Sequence, residues 1–442
     1  MRTVRGNLSL LISATRPATA LSAICFALTM FTAQAAAAQS FNVIHTFTGA
    51  SDGAYPTAGV TVAATGNLYG TASGGGTYGK GAAFQMAYRG SGWTLSPLHE
   101  FAGGFQDGAI PFGGLAFHGG ILYGTTSTGG LGGNDGGGVI YELSPPPTVC
   151  KTATCYYNET ILYEFPASNT GGDAPYYMTP VFDQFGNMYG TTEGSASSPE
   201  CPPTGPDCGT AWELTPSNGG WTESIIYNFT NGNDGRQPLA GLIIDAGGNL
   251  YGVAGFGSGG GGTIIELSPS NGGWIENTLY DFVPSQNGAR IGANDVAMDS
   301  SGNLYGALGS GGPGGSGTVY ELTPTGGGWT FSLLWAFPNG SGGCANPFSG
   351  VTLQGGNLYG TCAEGGAYGY GEVFQLSYND GMWELADLHD FTNGSDGGSP
   401  EGNVVFDANG NMFGTALAGG NLSACSGGCG TIWEITGLND RK

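Results

Sequence analysis

From Phe41 onward, short apolar runs alternate with glycine-rich polar turns, and the pattern recurs with a nearly fixed period. The phrase Gly66-Asn67-Leu68-Tyr69-Gly70 returns in variant form along the chain. Its final glycine falls at Gly70, Gly124, Gly190, Gly252, Gly306, Gly360 and Gly414, at intervals of 54, 66, 62, 54, 54 and 54 residues. Seven copies at this spacing indicate a repeat architecture.

Within one unit, the pattern predicts four strands. In the fourth copy we place strand A at 242–244, strand B at 250–252, strand C at 263–267 and strand D at 274–282. The strands are rich in β-branched and aromatic residues and are separated by Gly, Asn and Pro turns, which favours antiparallel hairpins. No segment sustains a helical period. A four-stranded repeat of this length is typical of a propeller blade.

The two ends of the repeat complement each other. The last copy stops after its strand C at 431–435, whereas 41–47 has the pattern of a strand D without a blade. We therefore predict an all-β fold, a seven-bladed β-propeller of four-stranded antiparallel blades, in which the N-terminal strand completes the last blade. Closure would remove an open sheet edge. An open solenoid, the alternative, would not need the exchanged strand.

The first residues of the chain have a different composition. Three arginines precede an apolar run at 18–31 and a small-residue stretch at 33–38. This order is typical of a secretory signal peptide, which we expect to be cleaved between Ala35 and Gln39. The apolar run is short for a membrane span, although an uncleaved anchor is the alternative.

Assigning residues 1–38 to the signal peptide leaves residues 39–442 as a single propeller domain. That domain carries 7 Lys+Arg against 33 Asp+Glu, a net charge of −26. Nucleic acid and anionic membranes need a basic patch, so both are disfavoured as partners. We expect a monomer that is secreted, periplasmic or on the cell surface, without a membrane span after cleavage. The expected partner is an extracellular glycan or protein. No cofactor is expected, although the charge leaves calcium open.

Eight cysteines remain after the signal peptide is removed. An even number in an oxidising compartment favours disulfides, and no histidine follows at the spacing of a zinc site. Three pairs fall within single loops, whereas Cys344 precedes strand A and Cys362 ends strand B of one hairpin, which brings them side by side. The predicted pairs are Cys150–Cys155, Cys201–Cys208, Cys344–Cys362 and Cys425–Cys429.

The recurring phrases Asp-x-x-Gly-Asn-Leu-Tyr-Gly, Gly-Thr-Val-Tyr-Glu-Leu-Thr-Pro and Gly-Gly-Trp-Thr resemble those of the GloVer tandem-repeat family of secreted bacterial proteins. The similarity covers essentially the whole chain after the signal peptide. This resemblance implies export and a propeller-like repeat, and it brings no established activity with it.

In antiparallel blades the loops alternate between the two faces of the ring. The A–B turns, which are uniformly tight, share a face with the C–D turns, and the B–C loops, which vary in length, share the other with the D–A loops. Variable loops on a rigid scaffold often carry function. The candidate ligand-binding residues are therefore those of the B–C loops: Tyr78, Lys80, Glu193, Phe256, Glu364, Tyr368 and Tyr370. Alternatively, these loops only solvate the rim.

Two other repeated positions carry polar groups. His45, His99 and His389 occupy a strand-D position that holds Tyr163, Tyr227, Tyr280 and Trp335 in other copies, which predicts packing with a polar tip rather than catalysis. Strand C repeats Gln85, Glu142, Glu213, Glu266, Glu321, Gln375 and Glu434. Because Gln replaces Glu in two copies, we predict a structural hydrogen-bond role, with a calcium-binding or catalytic carboxylate as the alternative. No residue is assigned as a metal ligand.

Two functions from different classes are consistent with these observations. The leading hypothesis is a secreted binding or scaffold module for an extracellular glycan or protein, because no nucleophile–base arrangement is evident. The alternative is an extracellular propeller enzyme, a lyase or hydrolase that uses loop carboxylates such as Glu193 or Glu364. Propeller folds host both classes, so the fold does not choose between them. Catalytic residues are left unassigned.

Overall fold

The computed structural model describes residues 39–132, 136–147, 155–166, 174–194, 208–289, 295–340 and 342–438. Its strands form seven four-stranded antiparallel sheets arranged as the blades of a β-propeller, with two additional two-stranded sheets. This confirms the predicted fold class. No α-helix occurs in these ranges, and none of their segments is a helical membrane span. The predicted signal peptide lies outside the described residues.

The strands are named in chain order, and each blade takes its strands A to D in the order of the sheet. The first strand, β1 (Ser40–Thr46), belongs to blade 7. Blade 1 contains β2 (Thr61–Val62), β3 (Leu68–Ala72), β4 (Ala82–Tyr88) and β5 (Trp93–Glu100). A small sheet pairs β6 (Gly108–Ala109) with β9 (Thr128–Gly129), and blade 2 contains β7 (Ala116–His118), β8 (Ile121–Thr126), β10 (Val139–Ser144) and β11 (Asn158–Glu164).

The next three blades are each continuous in sequence. Blade 3 contains β12 (Val181–Phe182), β13 (Met188–Thr192), β14 (Thr210–Ser217) and β15 (Gly220–Asn228). Blade 4 contains β16 (Ile243–Ile244), β17 (Leu250–Ala254), β18 (Thr263–Ser270) and β19 (Gly273–Asp281). Blade 5 contains β20 (Ala297–Met298), β21 (Leu304–Leu308), β22 (Gly315–Thr325) and β23 (Gly328–Pro338).

The last two blades complete the ring. A second small sheet pairs β24 (Cys344–Ala345) with β27 (Glu364–Gly365), and blade 6 contains β25 (Thr352–Gln354), β26 (Asn357–Cys362), β28 (Glu372–Asn379) and β29 (Met382–Asp390). Blade 7 contains β30 (Val405–Phe406), β31 (Met412–Ala416) and β32 (Thr431–Thr436), with β1 as its outer strand.

The ring closes as the repeat pattern predicts. Strand β1 pairs antiparallel with β32 and runs from Ser40 opposite Thr436 to Thr46 opposite Thr431. The outer edge of the last blade is therefore covered by a strand from the other end of the chain. Strand C of the fourth copy extends three residues further than predicted and strand D begins one residue earlier, because the C–D turn shrinks to two residues between Ser270 and Gly273.

The core lies in the seams between blades. Strand D of every blade leads into a fully buried phenylalanine: Phe47, Phe101, Phe165, Phe229, Phe282, Phe337 and Phe391. At six seams this ring packs against an aromatic ring of strand C in the next blade, with centroids 5.0 to 6.1 Å apart. At the seventh seam, Phe229 joins a cluster with Ile265 instead. Aromatic pairs thus recur around the ring.

The repeated glycine of strand B is explained by the same rings. A Cβ atom on Gly70 would lie 2.7 Å from Phe84 Cζ, and one on Gly360 would lie 2.6 Å from Phe374 Cζ. A large aromatic ring of strand C covers the equivalent glycine in blades 2, 3, 5 and 7, through Tyr141, Trp212, Tyr320 and Trp433. The glycine is therefore required by close packing and not by an unusual backbone angle.

The disulfides in the described residues agree with two of the predicted pairs. Cys344 is bonded to Cys362 with a Cα–Cα distance of 5.5 Å, and Cys425 is bonded to Cys429. Cys155 and Cys208 are also disulfide-bonded. Their predicted partners, Cys150 and Cys201, lie outside the described residues.

We predict that deleting residues 40–47 will destabilise the whole ring, because β32 loses its partner strand and Phe47 leaves its seam. The deleted protein should aggregate or melt well below a matched protein that begins at Gln39. Size-exclusion chromatography and thermal unfolding measure both effects. An unchanged melting temperature and a monodisperse sample would contradict closure by β1.

Replacing Cys344 and Cys362 together by alanine should lower the free energy of unfolding by about 2–3 kcal/mol, because the bond closes an 18-residue segment. The Cys425–Cys429 bond closes a segment of only four residues. The matched double change there should therefore lower the free energy of unfolding by less. Urea unfolding of both double variants gives the comparison. Equal losses in the two variants would refute the dependence on loop length.

Candidate functional site

The seven residues selected from the B–C loops are spread over blades 1, 3, 4 and 6. Tyr78 and Tyr368 leave 60% and 61% of their surface exposed. Phe256 and Tyr370 are also exposed, and the Arg236 guanidinium lies 4.3 Å from the centroid of the Phe256 ring. These aromatic side chains could meet a ligand on this face.

The polar members of the set are Glu364, Glu193 and Lys80. Asn346 Nδ2 donates a hydrogen bond to Glu364 Oε1 at 3.3 Å, and Glu364 lies in the small strand β27. Glu193 is half-buried just after β13, and Lys80 is half-exposed. None of the four cavities described below is lined by any of the seven selected residues. Their role in binding stays a prediction.

The strand-D histidines pack as the repeat predicts. Their Nε2 atoms lie 3.1 to 3.3 Å from an aspartate of the D–A loop, in the pairs His45–Asp52, His99–Asp107 and His389–Asp396. In blade 3 the same position holds Tyr227, whose hydroxyl donates to Asp234 Oδ2 at 3.0 Å. Each of these four aspartates also accepts a backbone N–H at the start of its loop. The Asp-Gly repeat is therefore turn chemistry.

The strand-C carboxylates face tyrosine hydroxyls of strand B. Tyr189 Oη lies 3.0 Å from Glu213 Oε1 and 3.1 Å from Asp183 Oδ2, and blades 4 and 5 repeat this arrangement. In blade 1 the roles reverse, because Gln85 Nε2 donates to Tyr69 Oη at 2.9 Å. Burial raises the pKa of Tyr189, so its phenol stays protonated. These contacts support a structural hydrogen-bond role.

A small cavity of about 140 Å³ lies where the segments before strand A of several blades converge. Asp295 accepts hydrogen bonds from the Gly241 N–H at 2.9 Å and from Asn403 Nδ2 at 2.8 Å. Burial raises the pKa of Asp295 to about 6 and that of Glu401 to about 7. No basic residue lines this cavity in the described part of the chain. The cavity is too small for a sugar or a cofactor.

The largest of the four cavities is a groove of about 700 Å³ on the face of the A–B and C–D turns. It lies between blades 3 and 4, and we call it the blade 3–4 groove. Its walls are the A–B turns of both blades and the C–D turn of blade 4, including Phe185, Asn187, Glu213, Asp245 and Trp274. An apolar wall combined with a few polar groups is typical of a small-molecule site.

Phe185 is the side chain that distinguishes this groove. It lies in the A–B turn 183–187, in which Asp183 accepts the backbone N–H groups of Phe185 and Asn187. The equivalent turn positions hold Thr65, Gly247, Ser301 and Asn409. Phe185 is 77% exposed, so it makes little contribution to the core. The turn does not need an aromatic side chain at this position.

The opposite wall carries Trp274, which packs edge-on against Tyr189 with centroids 5.7 Å apart. Two further cavities on the same face, of about 530 and 400 Å³, contain no tryptophan and no exposed phenylalanine. Sequence reasoning missed the blade 3–4 groove because it looked for variation in loop length. The available signal was a residue that departs from the repeat inside a turn whose length is the same in blades 1, 3, 4, 5 and 7.

Seven repeated blades and a groove lined by aromatic and acidic side chains define a repeat propeller with an aromatic-walled, ligand-sized depression on its A–B turn face. The family model described as the Gloeobacter/Verrucomicrobia repeat matches residues 26–200, 132–351 and 257–440. The chain therefore belongs to the Gloeobacter/Verrucomicrobia repeat family. No curated protein matches the chain.

Several solved structures are similar at low identity. A Bacteroides uniformis protein described as a 6-phosphogluconolactonase is 17% identical, with a TM-score of 0.48 over 76% of this chain and 84% of that chain. A Lactobacillus plantarum protein is 15% identical, with a TM-score of 0.45 over 80% and 89%. A Thermus thermophilus protein described as a glucose dehydrogenase oxidoreductase is 14% identical, with a TM-score of 0.44 over 90% and 100%. None of these likenesses bears on activity.

The buried Asp295 carboxyl predicts a pH dependence of stability. Its folded pKa of about 6 lies above the ordinary value of 3.8, so folding favours the protonated form. The contribution of this carboxyl to the free energy of unfolding is complete below about pH 4 and is lost as the pH rises through about 6. Asp295→Asn removes this loss, and its amide can donate to Asn403 Oδ1, now buried without a partner, once the Asn403 amide, whose Nδ2 faces position 295, turns over.

The free energy of unfolding of Asp295→Asn, relative to that of the unmodified chain, should therefore be greater at pH 7.5 than at pH 4. We expect the increase to be on the order of 2 kcal/mol. Urea unfolding of both proteins at the two pH values measures the difference, and groups common to both cancel. Glu401→Gln provides an independent comparison, since burial raises that pKa as well. A pH-independent difference for Asp295→Asn would show that the carboxyl ionises freely in the folded chain.

Proposed function

We propose that this chain is an extracellular binding module for a neutral glycan, and that one sugar unit binds in the blade 3–4 groove. The observation that carries the proposal is Phe185, an exposed aromatic side chain that departs from the repeat and faces a ligand-sized depression. An exposed aromatic ring costs solubility and contributes little to folding here. Contiguous apolar surface along a groove marks a binding site more often than a scattered single side chain does, and Phe185 shares the groove with Trp274.

The chemistry of the groove favours a neutral sugar. Phe185 and Trp274 offer apolar ring faces against which the C–H face of a pyranose can pack. Glu213 Oε2 offers an oxygen acceptor for a sugar hydroxyl group, whereas Asp183 and Asp245 each already accept four hydrogen bonds and supply mainly negative charge. The same carboxylates repel uronic acids, sulfated sugars and phosphates, because no basic residue lines the groove in the described part of the chain.

The face of the B–C loops provides a second place where the same class of ligand could bind. Tyr368 and Tyr370 are both exposed on one loop of blade 6. This face was the expectation from the sequence, and it lacks a cavity of comparable size among those described. The experiment is therefore designed to separate the two faces of the ring.

A neutral-glycan array followed by calorimetry on the best ligand tests the proposal. Phe185→Ser introduces the residue that blade 5 carries at the same turn position, so the fold should be retained, and binding should weaken at least tenfold. Tyr368→Ser combined with Tyr370→Ser is the matched change on the other face and should leave affinity unchanged. Circular dichroism confirms that each variant is folded.

Three outcomes would overturn the proposal. Loss of binding in the Tyr368/Tyr370 variant alone would place the site on the B–C loop face. An array without any neutral-glycan signal would reject the ligand class. Turnover of a polysaccharide that is abolished by Glu193→Gln or Glu364→Gln would make the chain an enzyme.

A further inference from the structure

The seam between blades 1 and 2 contains an arrangement that the other described seams do not repeat. His99 lies in β5, Asp107 lies in the following D–A loop, and Glu159 lies in β11 of the next blade. One ligand atom from each of the three residues can be chosen so that all lie within 4.8 Å of one another. We call these residues the seam triad.

The distances within the seam triad suit a metal ion. His99 Nε2 lies 3.3 Å from Asp107 Oδ1 and 3.6 Å from Glu159 Oε2. Ligand atoms bound to one tetrahedral zinc ion at about 2.0–2.1 Å lie about 3.3–3.5 Å from one another. The side chains are only 18%, 13% and 12% exposed, so the triad is largely shielded from solvent.

One oxygen of the seam triad lacks a partner. Glu159 Oε1 is buried and has no hydrogen bond, and no Lys or Arg forms an ion pair in the described part of the chain. The seam thus holds two carboxylates with no fixed cation.

The repeat supplies natural comparisons. His45–Asp52 and His389–Asp396 are the same histidine–aspartate pairs at other seams. The position equivalent to Glu159, opposite the same strand-C residue, holds Leu95 at one seam and Phe41 at the other. Phe41 stacks on His389 with centroids 3.5 Å apart. The third carboxylate is therefore not needed for packing a histidine in this position.

We propose that the seam triad binds a zinc ion, with His99, Asp107 and Glu159 as protein ligands and water in the fourth position. Zinc accepts both imidazole and carboxylate ligands, and a site with three protein ligands leaves the fourth position to water. The ion would neutralise both carboxylates and tie blade 1 to blade 2 from the outer strands. This site goes beyond the proposed glycan-binding function and does not depend on it.

The test uses the full propeller domain after treatment with a chelator, with zinc chloride alone as the probe. Calorimetry should show one site that binds zinc, and zinc should raise the melting temperature. Glu159→Gln should weaken zinc binding at least tenfold and remove the thermal shift. Cobalt(II) in place of zinc should give the visible absorption of a tetrahedral site.

His99→Tyr provides a second variant that is expected to fold, because Tyr163 occupies this position beside Glu223 at the next seam. It should abolish binding, whereas His45→Tyr and His389→Tyr should bind zinc like the unmodified chain. The proposal is overturned if the unmodified chain shows neither zinc-dependent heat nor a thermal shift. It is also overturned if Glu159→Gln binds as tightly as the unmodified chain, or if the control histidine variants lose the site.

Discussion

The contact on which six of the seven seams depend is the aromatic ring of strand C that lies between a glycine of its own blade and a phenylalanine of the preceding blade. One side of this aromatic side chain needs a residue without a Cβ atom, and the other side needs a large flat partner. Phe84 shows both contacts, with Gly70 beneath it and Phe47 at 5.3 Å. Because the contact links adjacent blades, no blade buries its core alone, which is characteristic of repeat proteins.

The outer strands tolerate different side chains because this contact provides the packing between blades. The strand-D position accommodates His, Tyr or Trp, and its neighbour across the seam is Glu, Leu or Phe. Where His99 meets Glu159, the variation brings charged groups together, and where Tyr280 meets Phe331 the rings stack at 4.9 Å. The A–B turns show the same freedom, since Phe185 occupies a position that serves the turn only through its backbone.

Period and spacing predicted the blades, the exchanged strand β1 and the Cys344–Cys362 pair, because each follows from strand order. Features that depend on side chains from distant blades were not predictable. Asp295 meets Asn403 across 108 residues of sequence. Ile110 precedes a proline, a position that favours extended backbone, yet its φ is +59°. The Ile110 N–H donates a hydrogen bond to the backbone C=O of Lys80 in the preceding blade, and the Ile110 C=O accepts one from the Ser127 N–H. These tertiary contacts outweigh the local preference.

The pairing of β1 with β32 also determines when the ring can be completed during folding. Ser40 and Thr436 lie at opposite ends of the described chain, so blade 7 gains its outer strand only after the rest has been assembled. Loop closure over such a separation is slow compared with pairing inside a blade. Until then β32 presents an unpaired edge to other chains. Protection from self-association is therefore greatest after assembly is complete, and the chain that has not yet closed its ring is the vulnerable species.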